Sequence, residues 1–249
     1  MLKEFFFTLW SYLSVLRFIV NRRIIYLFLS LALLSIGWGY LVFHIEYIVI
    51  KKGIEALLEY SGVLDITILN YFQRFLSSLF SSILALFLAI FTFRYSFYIL
   101  FSPWLSLLSL RLERLLIKMH IEQDMDSIVE LNFWNSVWRS IKLNTRMLIQ
   151  EIKLLLLFFA VSLIPGVGVF GVVGIFLVQA WFAGFSNLDF ALERTLNFKQ
   201  SISFAKRSPG ILLAIGIPFV LMIGIPVVGW MIAPVWSVMT STYVYTKKR

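Results

Sequence analysis

The chain has no cysteine, two histidines and only 14% charged residues over 249 positions. Without cysteine there are no disulfides, no thiolate metal sites and no cysteine nucleophiles. His44 and His120 lack an H-E-x-x-H pattern, and no G-x-S-x-G elbow occurs; a zinc hydrolase and a serine hydrolase are both unwritten here. We therefore expect no catalytic residue, no metal and no cofactor. Soluble domains carry about 25% charge. Here 60% of residues are hydrophobic and the mean hydropathy is +0.89, so lipid is the solvent. No stretch remains from which to build a soluble catalytic domain, and residues 1–249 are expected to form a single membrane-embedded domain.

The apolar residues are not evenly spread. Leu154 to Leu188 and Ser208 to Thr246 carry no charge, yet each is broken near its middle, at Pro165, Gly166 and Gly168 and at Pro226 and Gly229. A spanning helix needs roughly 20 unbroken residues to cross about 30 Å of hydrocarbon. The arm from Leu154 to Ile164 would rise only about 16 Å. These stretches (154–188 and 208–246) read as helical hairpins that dip into the membrane.

Two other segments, 24–45 and 75–101, read as long transmembrane helices, the second continuing past Arg94 as an amphipathic extension. Between them only Lys51, Lys52 and Arg74 are basic, out of 22 Lys and Arg residues. The positive-inside rule places residues 46 to 74 outside and both termini in the cytoplasm. The net charge of +9 is thus a topology signal and gives no groove for nucleic acid. Basic flanks also require each hairpin to leave and re-enter on the cytoplasmic side. Sidedness does not separate a complete two-span hairpin from a re-entrant one; arm length favours the shallow form. Residues 1–23 resemble a signal peptide only superficially, because Arg17, Arg22 and Arg23 interrupt the segment and no cleavage site follows. An uncleaved interfacial helix is expected, with Trp10 and Tyr12 at headgroup level.

Residues 103–153 read as amphipathic helices on the cytoplasmic side. Ser102-Pro103 has the form of a cap followed by a first-turn proline. Arg111, Arg114 and Lys118 form one polar stripe, and Arg139, Lys142, Arg146, Gln150 and Lys153 another. Two readings stand: attraction to anionic headgroups, or a cationic vestibule that gathers anions. Glu122, Asp124, Asp126 and Glu130 form an acidic connection between the helices. Gly166-Val167-Gly168-Val169-Phe170-Gly171 matches G-x-G-x-x-G with Asp189 downstream, but no strand precedes it and the element lies in a lipid-length run, which argues against a dinucleotide site. Ala180 and Gly184 are one helical turn apart and suit close helix packing.

What remains is binding chemistry. A helix broken inside hydrocarbon must have its backbone groups buried in protein or facing a watery cavity, and a helix amino terminus suits an oxyanion. Arg22 and Arg23 could add charge-assisted hydrogen bonds to that anion, or could snorkel to headgroups and fix topology.

Several segments carry a resemblance: Asn21-Arg22-Arg23-Ile24, Ser102-Pro103-Trp104-Leu105-Ser106-Leu107-Leu108, Leu163-Ile164-Pro165-Gly166-Val167-Gly168, Ala180-Trp181 followed by Asp189, and Ile225-Pro226 with Ala233-Pro234. In order and spacing the chain resembles the CysZ family of bacterial inner-membrane sulfate permeases, within the group named for the etoposide-induced protein. The resemblance implies two long transmembrane helices, two partly penetrating hairpins and a homo-oligomer. It also implies sulfate uptake for cysteine synthesis, without nucleotide hydrolysis. It assigns anion binding to Arg22, Arg23, Ser106, Leu107, Leu108 and Ser109, although the family's G-L-L-A-E motif reads Ser106-Leu107-Leu108-Ser109-Leu110 here, without the glycine and the glutamate. The expected fold class is an all-α integral membrane protein, with membrane lipid and a small oxyanion as partners and the bacterial inner membrane as location. A non-transporting scaffold and a lipid-handling protein are the rival readings.

Overall fold

A computed structural model describes residues 2–19, 22–60, 67–120, 133–225 and 227–248. The side chains of residues 22, 23, 58–60, 67–74, 87, 119, 120 and 133 lie outside that description. Among the described residues every regular element is a helix: α1 (Leu2–Ile19), α2 (Arg22–Tyr60), α3 (Thr67–Leu100), α4 (Ser102–His120), α5 (Phe133–Ser162), α6 (Gly168–Leu192), α7 (Phe198–Arg207), α8 (Pro209–Ile223) and α9 (Val228–Lys248). The protein is an all-α, multi-pass membrane protein. Ile24–Leu57, Phe75–Leu100 and Gly168–Leu192 are each long and apolar enough to cross a bilayer.

The long helices α2 and α3 pair as expected, held by the Trp38 indole donating to Ser96 Oγ at 2.9 Å and by Tyr47 and Ser78 hydroxyls 3.2 Å apart. Helix α2 does not stop where its charge-free run stops. It continues for 39 residues, about 58 Å of rise, well beyond a bilayer. No proline interrupts it, and Lys51 and Glu55 sit one turn apart at 4.0 Å. The inner seam is aromatic: Phe93 stacks on Phe97 (5.3 Å) and on Trp230 of α9 (5.5 Å), and Phe97 meets Phe101 (4.7 Å).

Three expectations change here. Tyr12 is not at headgroup level: it is 6% exposed while Trp10 is 70% exposed. Its hydroxyl donates to the Ile215 carbonyl (2.6 Å) and meets Ser237 Oγ (2.8 Å), docking α1 onto α8 and α9. Helix α1 is therefore amphipathic toward protein as well as toward lipid. Ser102 does not cap α4. Its hydroxyl turns back to the Ile99 carbonyl (3.0 Å), because Phe101 and Leu105 already bond to Phe97 and Phe101 and carry the backbone ladder through the joint. Finally, Leu154 begins no arm of its own; it lies inside α5, a 30-residue helix that runs unbroken from the amphipathic stripe into the apolar run.

The breaks are turns that satisfy themselves. At the first, Ile164 N–H bonds the Val161 carbonyl (3.1 Å) and Val167 N–H bonds the Ile164 carbonyl (3.2 Å). Gly166 supplies the left-handed φ of +84°. The tip is exposed, with Leu163 68% accessible, so the expected burial of this break in protein or a polar cavity is not what holds it. Pro165 is exposed on the same tip, and Gly168 lets α6 approach Ser162, where a Cβ would sit 2.5 Å from the carbonyl oxygen. At the second break Pro226 lies outside the described residues. Gly229 brings α9 against α8, since a Cβ there would lie 1.7 Å from the Met222 oxygen. Helix α6, at 25 residues, rises about 37 Å, whereas α8, at 15, rises about 22 Å and is short of a bilayer. Before α8 the chain bends by 89° between α7 and α8.

Ala180 and Gly184 do serve close packing. A Cβ on Gly184 would meet the Leu212 oxygen at 2.0 Å, and one on Gly216 the Ala180 oxygen at 1.7 Å, so α6 and α8 touch backbone to backbone. Gly184→Ala is expected to lower the thermal midpoint in detergent, an overpacking cost of about 1–3 kcal/mol. Gly37→Ala, with nothing within 4 Å, is expected to leave it unchanged or raise it. Tryptophan-fluorescence melting of the two variants checks this contrast.

Candidate functional site

The carboxyl end of α6 carries Asp189, Glu193 and Arg194, all nearly buried, and it is the polar centre of the molecule. Arg194 Nε donates to Glu113 of α4 at 2.7 Å, its Nη2 donates to Ser109 Oγ at 2.9 Å and its Nη1 to the Phe190 carbonyl at 2.8 Å. Ser109 also bonds the Phe190 carbonyl (3.2 Å) and meets the Thr242 hydroxyl of α9 (2.7 Å). Arg139 of α5 grips Asp189 with two donors, Nε at 3.1 Å and Nη2 at 2.7 Å. The same guanidinium reaches Ser201 Oγ (2.8 Å) and the Leu196 carbonyl (3.0 Å). Ser106 donates its hydroxyl to the Glu193 carboxyl. Five helices thus meet through side chains at one point.

Each charged group here has a counterpart, as buried charges require. Glu193 lies just past the apolar span of α6. Burial is the largest influence on it and pushes its carboxyl up to about 7 from an ordinary 4.5; the Ser106 hydroxyl opposes this, the Asp189 charge adds to it and Arg194 opposes it. Arg139 pairs with Asp189 and Arg194 with Glu113, so ionisation of Glu193 adds a carboxylate charge beside two existing ion pairs.

A second buried pair lies deeper. Arg94 of α3 bonds Glu151 of α5 and the Gln179 carbonyl (3.3 Å), and the Tyr95 hydroxyl donates to the same carboxylate. Arg94 is 5% exposed, so it does not begin an amphipathic extension; α3 passes through it without interruption.

The expected anion residues fall into two groups. Ser106 and Ser109 face this cluster, Leu108 is fully buried in the apolar core and Leu107 points partly outward. Their backbone N–H groups lie within the i to i−4 ladder of a helix that begins at Ser102, so side chains are what this segment offers. Arg22 and Arg23 occupy the first turn of α2, but their side chains lie outside the described residues. The acidic residues 122, 124, 126 and 130 are outside the description too. Of the basic stripe on α5, Arg139 turns inward to Asp189, while Lys142 and Arg146 lie over the Phe198 ring at 5.2 and 5.8 Å. Sequence reasoning missed Glu113, Glu151, Glu193 and Arg194. A signal existed: Asp189, Glu193 and Arg194 close a lipid-length run on one helix, where ionisable residues are expensive and therefore partnered.

The family model described as Sulfate transporter CysZ/Etoposide-induced protein 2.4 matches residues 3–234. The chain belongs to this family. No curated protein matches it. Membership makes the chain a sulfate-transporter-like membrane protein and places the buried cluster on a transporter-type scaffold.

Two results are expected at the cluster. Because the folded-state pKa of Glu193 is raised, its stabilising contribution is complete below pH 4.5 and is lost as pH rises through about 7. The melting midpoint should fall across that window, and Glu193→Gln should flatten the fall. Separately, Arg194→Gln breaks the buried Arg194–Glu113 pair and should cost about 3–5 kcal/mol in denaturant titration, part of which Glu113→Gln/Arg194→Gln restores.

Proposed function

We propose that this CysZ-family member is an oligomeric permease for a small oxyanion, with sulfate the first substrate and uptake for cysteine synthesis its use. The observation that carries the reading is the family match over nearly the whole chain. Support comes from the start of α2, where the first turn of a 39-residue helix, whose N–H groups have no partner within the helix, carries partial positive charge at Arg22 and Arg23. These arginines and the Ser106–Ser109 segment are the proposed anion contacts. The motif's missing glutamate has a counterpart of a kind in Glu193, a carboxyl delivered to Ser106 from α6. The protein acts in the bacterial inner membrane with both termini cytoplasmic, as the distribution of Lys and Arg favours. The 22 Å rise of α8 favours a second hairpin that ends within the bilayer, about 30 Å thick, whereas α6 in the first is long enough to cross it.

A non-transporting scaffold with the same fold is the second reading. It is favoured by the pairing of Arg139 with Asp189 and of Arg194 with Glu113, which leaves neither guanidinium without a carboxylate. Sulfate uptake into proteoliposomes separates the two. Uptake above protein-free liposomes is expected, reduced at least about tenfold in Arg22→Ala/Arg23→Ala, as the loss of charge-assisted hydrogen bonds requires. Absence of uptake, where a related permease works, selects the scaffold; uptake indifferent to both substitutions removes the arginines from the site.

A further inference from the structure

Away from the charged cluster, α5, α6 and α8 enclose an open groove of about 760 Å³. Its walls are apolar, among them Phe158, Val173, Leu177 and Phe170, and Gly174 lets the Phe158 ring lie directly on α6, where a Cβ would be 2.2 Å from that ring. At one end only, Gln150 and Lys153 close the lining. No acidic residue lines it; the neighbouring Glu151 is fully buried and faces Arg94 instead. Lys153 has no ion pair among the described residues, and the stripe that leads to it continues through Arg146 and Lys142, both over Phe198.

The dimensions and the placement of charge select an occupant. Antiparallel pairing of α5 and α6 sets Phe158 beside Gly174 and Ser162 beside Gly171, so the groove runs from Phe170 near the hairpin tip to Trp181 beside Lys153. Eleven residues of α6 separate those ends, about 16 Å of rise. One leaflet of hydrocarbon is about 15 Å, half the usual core. An apolar channel one leaflet long, with an ammonium at one end and an indole beside it, matches a single lipid molecule whose headgroup is anionic. A bare inorganic anion has nothing to bond along those walls.

We propose that this groove is a specific site for an anionic phospholipid, one acyl chain lying along Phe158 and Val173 and the phosphate held at Lys153 and Gln150. The site does not depend on transport. The test is native mass spectrometry of the full-length protein after exchange into mixed micelles holding equal phosphatidylglycerol and phosphatidylcholine. Phosphatidylglycerol is retained preferentially, and Lys153→Gln reduces that preference about fivefold. Val173→Trp, at a half-exposed wall position, fills the groove and lowers retention of both lipids. An unchanged preference in Lys153→Gln overturns the headgroup contact, and undiminished lipid in Val173→Trp overturns the groove. A change of oligomeric state in Val173→Trp assigns the groove to a second copy of the chain instead. Should Val173→Trp fail to fold, the Lys153→Gln comparison decides.

Discussion

The contact between Arg194 and Glu113 fastens the end of a membrane-length helix to the helix that follows the long pair. A guanidinium buried on the interior side of α6 has no water to fall back on, so its five donors must be met by protein. Glu113, Ser109 and the Phe190 carbonyl accept three of them, and Ser109 in turn holds Thr242. Arg139 does the same for Asp189 from the opposite side and extends the network to Ser201 on α7. The end of α6 is thereby fastened to α4, α5, α7 and α9 at once. The apolar seam of Phe93, Phe97 and Trp230 supplies the remaining cohesion, but apolar side chains in lipid have little hydrophobic driving force of their own.

The large features were legible because they depend on composition and length. Lipid as solvent, the long helix pair and the two broken runs all follow from where charge is missing. Ala180 and Gly184 were legible too, since small residues one turn apart have few other uses in a membrane. Charged residues were harder to read. Arg94, Arg139 and Arg146 look alike in sequence, each a basic residue on an amphipathic helix; only a partner brought from another helix distinguishes them. Glu151 and Asp189 are more than thirty residues from their arginines along the chain, and no spacing rule links them. Tyr12 was misplaced for a related reason: an aromatic ring with a hydroxyl suits a headgroup layer and a buried carbonyl equally, and Ile215 decides between them.

Placing a polar centre on a transporter-type scaffold raises a question of sign. Two arginines at the heart of the molecule would suggest attraction for anions, yet both are bound to carboxylates, and Glu193 adds a further acid whose charge depends on pH near neutrality. Such a cluster braces helices well and concentrates anions poorly. The start of α2 has the opposite character, a helix terminus with adjacent arginines and no recorded acid in its first turn.

Where Gly184 meets Leu212 and Gly216 meets Ala180, no side chain stands between the two helices. A seam made of backbone alone has no rotamers to change and cannot slide without collision, so α6 and α8 behave as one plate. Trp230 lies over Gly39 of α2 in a different kind of contact, a flat ring on a surface without a side chain, its near edge 2.3 Å from where a Cβ would be, too close for any residue but glycine. The plate meets the long pair directly through Tyr98 of α3, whose hydroxyl donates to Asn187 and whose ring lies against Phe219, while Trp230 of α9 packs on Gly39; a shift of α6 therefore carries α8 with it and is felt at once by α3.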